Sequence, residues 1–155
     1  MNKYCDPHED PNYVDVFTVG TIKFETNILD TLIEGQVGPK ARIPKIGECK
    51  IEIYGNEGSI PHFHIFNTNK SFETCICIYS NNYFVHGKYK DTLNEKQVNQ
   101  LANWLKSPND KNNKITNWEA VELAWDFANR ECKFPDNKKK GMPDYTKLND
   151  TAKVY

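Results

Sequence analysis

Short segments in the middle of this chain alternate polar and apolar side chains, and this alternation constrains the fold more than any other feature. The segments are separated by turns rich in Gly and Asn, and they cover residues 49–54, 60–66 and 72–79. Because successive side chains of a β-strand point to opposite faces, this alternation predicts strands with one buried face. The short polar turns between them predict an antiparallel meander.

Two helices are predicted after these strands, each from a capping box at its start. The boxes are Thr92-Leu93-Asn94-Glu95 and Thr116-Asn117-Trp118-Glu119, and apolar residues recur at helical spacing after each. Residues 13–24 predict an earlier strand or hairpin, and residues 83–86 predict a return strand. The predicted fold is α+β, with an antiparallel β-meander of about four to five strands packed against two C-terminal helices.

The length of 155 residues suits one domain. We expect a single α+β domain over residues 1–132, with an N-terminal arm and strands over residues 1–45 and the core over residues 46–132. Residues 133–155 carry an excess of lysine and predict a basic tail, which is either disordered or laid over the domain with Phe134, Tyr145 and Tyr155 as candidate anchors.

Composition argues against several functional classes. A net charge of −1 gives the chain no overall field for nucleic acid or an anionic membrane. No apolar run approaches the roughly 20 residues that cross a bilayer. The five cysteines are an odd number and lack the density of a disulfide scaffold. We therefore expect a cytoplasmic protein with reduced thiols and no membrane partner.

His62 and His64 stand two residues apart in a predicted strand, so both rings point to one face of the sheet. If residues 67–70 form a four-residue turn, His64 lies opposite Glu73 and His62 lies opposite Cys75. A slip by one residue would mix polar and apolar side chains on each face, which favours a register that keeps them apart.

The second predicted hairpin uses Asn81-Asn82 as a two-residue turn and places Cys77 opposite His86. One face of the sheet then carries imidazole, thiol and carboxyl groups beside a Tyr79–Phe84 pair, and the other face is nearly all apolar. The predicted polar face comprises His62, His64, Glu73, Cys75, Cys77 and His86.

These side-chain types are the ligands that zinc prefers. The residues predicted to bind a metal are His62, His64, His86 and Cys77. Glu73 and Cys75 are predicted to orient these ligands, and Glu73 can instead serve as a general base toward a metal-bound water. Two alternatives stay open. The cysteines can be small buried apolar residues beside locally hydrogen-bonded histidines, or a cysteine can act as a nucleophile with a histidine base.

The two ends of the chain differ in charge. Acidic residues near the N-terminus and lysines near the C-terminus are candidates for contact with a charged partner. The candidate partner-binding residues are Asp6, Glu9, Asp10, Asp15, Lys138, Lys139 and Lys140.

The run from Ile51 to about Arg130 resembles an uncharacterised family of small bacterial and phage proteins, a domain of unknown function. The hallmark of that family is a strand reading Pro-His-x-His-Val, which here is Pro61-His62-Phe63-His64-Ile65, after an acidic turn at Asn56-Glu57-Gly58. Family members often stand in gene pairs of the toxin–antitoxin style or in mobile elements. The resemblance implies a regulatory or binding role, and it gives His62 and His64 as motif positions without a role.

Three functions follow from these observations. The first is a non-catalytic regulatory protein of a mobile element that binds a protein or nucleoprotein, either a toxin–antitoxin component or a phage-encoded inhibitor of host defence such as an anti-CRISPR. The second is a small metal-dependent hydrolase or nuclease, with zinc as the cofactor. The third is direct binding to nucleic acid. The lack of a known catalytic motif favours the first.

Overall fold

The computed structural model describes residues 16–24, 47–55, 57, 60–84, 91–129 and 141–154. These residues form a sheet, two α-helices and a short 3₁₀ turn. The strands are β1 (Val16–Lys23), β2 (Glu48–Tyr54), β3 (His62–Asn67), β4 (Glu73–Cys77), β5 (Asn82–Phe84) and β6 (Asn149–Val154). The helices are α1 (Glu95–Lys106) and α2 (Asn117–Ala128), and the 3₁₀ turn is Tyr145–Lys147.

The spatial order of the strands follows the chain, from β1 to β6. Strands β1 to β5 pair antiparallel, and β6 pairs parallel with β5. The predicted α+β fold with an antiparallel meander and two helices is therefore confirmed. The additional strand β6 comes from the segment that the sequence suggested was a tail. No helix in the described part of the chain is long and apolar enough to cross a membrane.

The register of the hairpin formed by β3 and β4 differs from the predicted register by two residues. His62 pairs with Cys77 and His64 with Cys75, whereas Cys75 and Glu73 were the predicted partners. The reason is that Asn67 belongs to the strand: its backbone N–H donates to Phe72 O at 3.2 Å, and its side-chain oxygen accepts from Phe72 N at 3.0 Å. Because the shift is even, each side chain keeps its predicted face.

The second hairpin also differs from the prediction. Ile76 pairs with Tyr83, so the register that would place Cys77 opposite His86 is wrong, and the connection is longer than two residues. Two distant donors reach the Ile78 carbonyl: Trp118 Nε1 at 3.1 Å and the Tyr145 hydroxyl at 2.7 Å. Strand β4 accordingly ends at Cys77. His86 itself lies outside the described residues.

The apolar face of the sheet forms the core with both helices, as predicted. Phe63, Ile65 and Ile76 are fully buried in one cluster with Leu101 and Val121 from the helices. The second capping box is confirmed, with Thr116 as the N-cap and Glu119 as its partner. The first predicted capping box begins two residues too early. Its N-cap is Asn94, and Gln97 is the partner that bonds back.

Helix α2 runs past the ends of three neighbouring strands. Its Trp118 bonds to the end of β4, the Trp125 ring lies 5.4 Å from the His62 ring at the start of β3, and Asn129 Nδ2 donates to Tyr54 O at the end of β2. The helix therefore borders the end of the sheet where the histidine strand begins.

Candidate metal centre

Two buried histidines of β3 form the centre of the candidate site. Strand alternation sends Phe63 and Ile65 into the apolar core and turns His62 and His64 to the other face. Each histidine is only 1% exposed, and the two ring centroids are 5.2 Å apart. The prediction that both rings share one face is confirmed.

The third residue of the site is Glu57, which lies in the connection between β2 and β3. Its Oε1 is 3.3 Å from His62 Nε2, and the same oxygen makes a hydrogen bond with His64 Nε2. In the sequence, Glu57 stands out only as part of the acidic turn before the histidine strand, and no chemistry was expected of it. The available signal was an acid on the turn that leads into a strand with two histidines on one face.

The hydrogen bond of the other ring nitrogen determines the tautomer of His62. Its Nδ1 lies 2.7 Å from the Ile60 carbonyl, which can only accept, so Nδ1 carries the proton. In the neutral ring, Nε2 then presents a lone pair toward the Glu57 carboxylate. Two acceptors at this separation repel each other unless a cation, either a proton or a metal ion, lies with them. Metal-binding histidines commonly donate their second ring nitrogen to a carbonyl in this way.

His64 is held between an acid and a thiol. Cys75 Sγ lies 3.2 Å from its Nδ1, while its Nε2 contacts Glu57. Burial lowers the pKa of His64, and the Glu57 carboxylate opposes that shift only in part. Burial raises the pKa of Cys75, and the charges of Glu57 and Glu73 add to the effect. The Cys75 thiol therefore donates to Nδ1, and Nε2–H donates to Glu57.

Glu57 is the anionic member of the cluster. Burial alone would raise its pKa, but the hydrogen bonds with His62 and His64, and the positive charge of these rings when they are protonated, outweigh burial and hold that pKa well below its usual range. The Glu57 side chain is 19% exposed, while the two histidine side chains are almost completely covered. The carboxylate is therefore the part of the cluster that faces solvent.

Aromatic side chains surround the two imidazoles. The Tyr54 ring centroid is 4.4 Å from that of His64, and the Phe84 centroid is 4.3 Å from that of His62. The hydroxyl of Tyr54 donates to Glu52 at 3.0 Å, which fixes a second carboxyl group beside the site. Such an apolar wall lowers the local dielectric and strengthens every charge interaction inside it.

The other predicted site residues that the structure describes differ in their distance from the two histidines; they are Cys75, Cys77 and Glu73. One possible ligand atom from each of His62, His64 and Cys75 lies within 4.8 Å of the others, and the Cys75 sulfur is 3.2 Å from His64 Nδ1. Cys77 lies opposite His62 but is hydrogen-bonded to Ser80, and it does not join this group. Glu73 is buried and its charge acts on Cys75.

The remaining candidates fall outside the described residues, and their roles stay predictions. They are His86 of the proposed metal ligands and the partner-binding candidates Asp6, Glu9, Asp10, Asp15, Lys138, Lys139 and Lys140.

Cys75, His64 and Glu57 are connected in the order of a thiol–imidazole–acid triad. Two observations argue against nucleophilic catalysis by Cys75. The residue is completely buried, in the middle of β4, and its pKa is raised rather than lowered. A nucleophilic cysteine needs access for its substrate and a stabilised thiolate. The arrangement is better suited to fixing the orientation of His64.

No protein-family model, curated protein or solved structure matched this chain.

Proposed function

We propose that this protein binds one divalent transition-metal ion, most favourably zinc, through His62 Nε2, His64 Nε2 and the Glu57 carboxylate. The observation that carries the proposal is the single Glu57 oxygen that reaches the Nε2 atoms of both buried histidines. Donors held tetrahedrally about 2.1 Å from zinc lie roughly 3.4 Å apart. The separation of 3.3 Å between His62 Nε2 and Glu57 Oε1 matches that spacing. His64 Nε2 lies closer to the same oxygen, in direct hydrogen-bond contact, so binding an ion requires the carboxylate to move away from that ring.

Glu57 is a better third ligand than Cys75 for geometric reasons. The thiol of Cys75 contacts Nδ1 of His64, whereas Glu57 contacts Nε2, on the far side of the same ring. A metal ion bound by the two Nε2 atoms therefore has the carboxylate beside it, and the thiol acts through the imidazole. Two histidines and one glutamate are a ligand set of catalytic zinc sites, which keep one position open.

The open position supports a hydrolytic role, the second function expected from the sequence. A zinc ion in such a site supplies a Lewis acid and a bound water that ionises near neutral pH. The residues of this chain would hold the ion, because His62 is fixed by the Ile60 carbonyl and His64 by Cys75. Substrate access is through the side of Glu57, the only partly exposed member of the cluster.

Metal analysis of untagged protein tests the proposal. We expect about one zinc per chain, and we expect chelation to lower the melting temperature, because a metal that binds only the folded state stabilises it. Substoichiometric metal together with an unchanged melting temperature after chelation would refute the proposal.

The variant Glu57→Gln keeps the size of the side chain and removes its charge. It should weaken zinc binding at least roughly tenfold. Glu48→Gln, an equivalent change at an exposed position of β2, is the matched control and should bind zinc normally.

Release of nitrophenol from a nitrophenyl ester and from a nitrophenyl phosphodiester then tests the hydrolytic role. Stoichiometric zinc without turnover above the Glu57→Gln background would mean that the metal has a structural or regulatory role.

The regulatory role stays a separate proposal that rests on the resemblance and the charged ends of the chain. Its candidate residues lie outside the described part of the structure. A toxin–antitoxin or anti-defence partner would be recovered with the full-length chain at low salt and released as salt rises, since opposite charges would hold the complex.

A further inference from the structure

We propose that Asn129 is the positioning residue that holds Glu57 against the two histidines. This inference rests on the proposed metal site, whose carboxylate ligand it explains. Asn129 is the C-cap of α2 and is only 2% exposed. Its Oδ1 accepts from the backbone N–H of Glu57 at 3.2 Å, and its Nδ2 donates to the carbonyl of Tyr54 at 3.1 Å. One buried amide thus spans the segment that carries Glu57.

The segment needs such an anchor because the sheet does not hold it. The ladder between β2 and β3 reaches only as far as the pair of Glu52 and His64. Glu57 lies beyond that pair, in the connection that leads to β3. Its carboxylate can contact the two Nε2 atoms only if its backbone is held at a fixed distance from the face of the sheet that carries the histidines.

The chemistry of asparagine fits this task. The amide provides one acceptor and one donor in a rigid plane, and here each serves a different backbone group. Aspartate keeps the acceptor for the Glu57 N–H but loses the donor to Tyr54. Leucine has a similar shape and offers neither. Asn129 is itself tied to α2, because its backbone N–H donates to the Trp125 carbonyl at 2.8 Å.

The ring of Trp125 lies against His62, so the last turn of α2 reaches the site at two points. One point is the packing of Trp125 on an imidazole, and the other is the hold of Asn129 on the carboxylate segment. The end of this helix therefore sets the separation between the carboxylate and the histidines. Loss of either hydrogen bond of Asn129 would loosen the backbone of Glu57 and so free its carboxylate from its position, although the carboxylate itself is still present.

The test compares Asn129→Leu and Asn129→Asp with the wild-type chain, in zinc titrations against a competing chelator at a temperature where every variant is folded. Asn129→Leu should weaken zinc binding about 10- to 100-fold, the usual effect of a lost supporting partner, and Asn129→Asp should weaken it less. The matched control is Asn117→Leu. Asn117 lies at the other end of α2, is also buried, and donates to Trp104 O at 2.7 Å. The Asn117→Leu variant should have a lower free energy of unfolding but an unchanged zinc affinity.

A double-mutant cycle separates positioning from a general structural effect. If Asn129 acts through Glu57, Asn129→Leu should cause no further loss of zinc affinity in a Glu57→Gln background. Additive losses would overturn the inference, and so would normal zinc binding by Asn129→Leu.

Amide hydrogen exchange of the metal-free protein provides a readout that does not depend on zinc. The N–H of Glu57 should be protected in the wild-type chain and in Asn117→Leu, and should exchange faster in Asn129→Leu. Equal rates in the wild type and Asn129→Leu would overturn the role of Asn129. A wild-type chain that shows this protection but binds no metal would refute the proposed function and leave the anchoring of Glu57 standing.

Discussion

At the scale of single residues, the donors and acceptors around His64 explain how one ring can serve both with and without a metal. In the metal-free arrangement Nε2–H donates to Glu57, and Nδ1 accepts from the thiol of Cys75. A metal on Nε2 requires the proton on Nδ1 instead, and that N–H can donate to the same sulfur. Cys75 therefore supports His64 in either tautomer.

We therefore expect different effects from replacing the two thiols of β4. Cys75→Ala should keep one zinc per chain but weaken its binding about tenfold, because His64 loses its supporting partner. Cys77→Ala is the matched control: Cys77 is also buried, and it is hydrogen-bonded to Ser80 instead of a histidine. It should leave zinc affinity unchanged.

Cobalt substitution checks the same assignment by spectroscopy. We expect no thiolate-to-cobalt charge-transfer band, because neither sulfur binds the metal directly. A thiolate band that disappears in Cys77→Ala would restore the ligand role that the sequence suggested for Cys77.

At the scale of elements, the Trp104 side chain of α1 restricts one position of β1. A Cβ at Gly20 would lie 2.9 Å from Cζ2 of the Trp104 side chain, and the ladder between β1 and β2 is irregular between Thr18 and Gly20. Close to this point, Asn109 Nδ2 donates to the Val19 carbonyl at 3.2 Å. Strand β1 is thus held by the helical layer as well as by β2.

We expect Gly20→Ala to lower the free energy of unfolding by about 1–3 kcal/mol, since the new methyl group displaces the indole ring. Urea denaturation measures this change. The double variant Gly20→Ala/Trp104→Leu should cost less than the sum of the two single variants, because the smaller side chain leaves room for the methyl group. Strict additivity would show that the indole is not what excludes a side chain at Gly20.

At the scale of the whole molecule, the folded chain buries several thiol and phenol groups. Burial raises the pKa of Cys49 to about 12. The pKa values of four further groups are also raised, mainly by burial; these groups are Cys75, Cys77, Tyr79 and Tyr145. In each case the folded state retains a proton that the unfolded chain releases at lower pH.

Stability should therefore fall in alkaline solution. The ordinary pKa values of these groups are 9.0 for the thiols and 10.0 for the phenols, so their contribution is complete below about pH 8 and is lost as the pH rises from 9. Above pH 9 the unfolded state binds fewer protons than the folded state, and each such group lowers the free energy of unfolding on the order of 1 kcal/mol per pH unit. Denaturant titrations with a reductant present, between pH 7.5 and pH 11, measure this slope.

The variant Cys49→Val should show a shallower slope, because it removes one of these buried protons from an apolar site. A free energy of unfolding that stays constant or rises between pH 9 and pH 11 would contradict the assignment of these groups as buried and protonated.

The sequence by itself determined the properties that depend on neighbouring residues. Alternation over a few positions sets which face of β3 each side chain occupies, so the shared face of His62 and His64 was predictable. A capping box uses groups only three residues apart, so the start of α2 at Thr116 was predictable as well. Even an incorrect hairpin register left the two faces intact, because the shift was by two residues and the side-chain period of a strand is two.

Only the tertiary structure decided the features that depend on groups distant in sequence. The end of β4 follows from Trp118 and Tyr145, which donate to the carbonyl of Ile78 from 40 and 67 positions away. The approach of Glu57 to the histidines follows from the hold of Asn129, which lies 72 positions further along the chain. Local propensity carries no information about such bonds, because their partners meet only when the helices pack against the sheet. The fold class was therefore evident in the sequence, whereas the carboxylate of the proposed metal site was not.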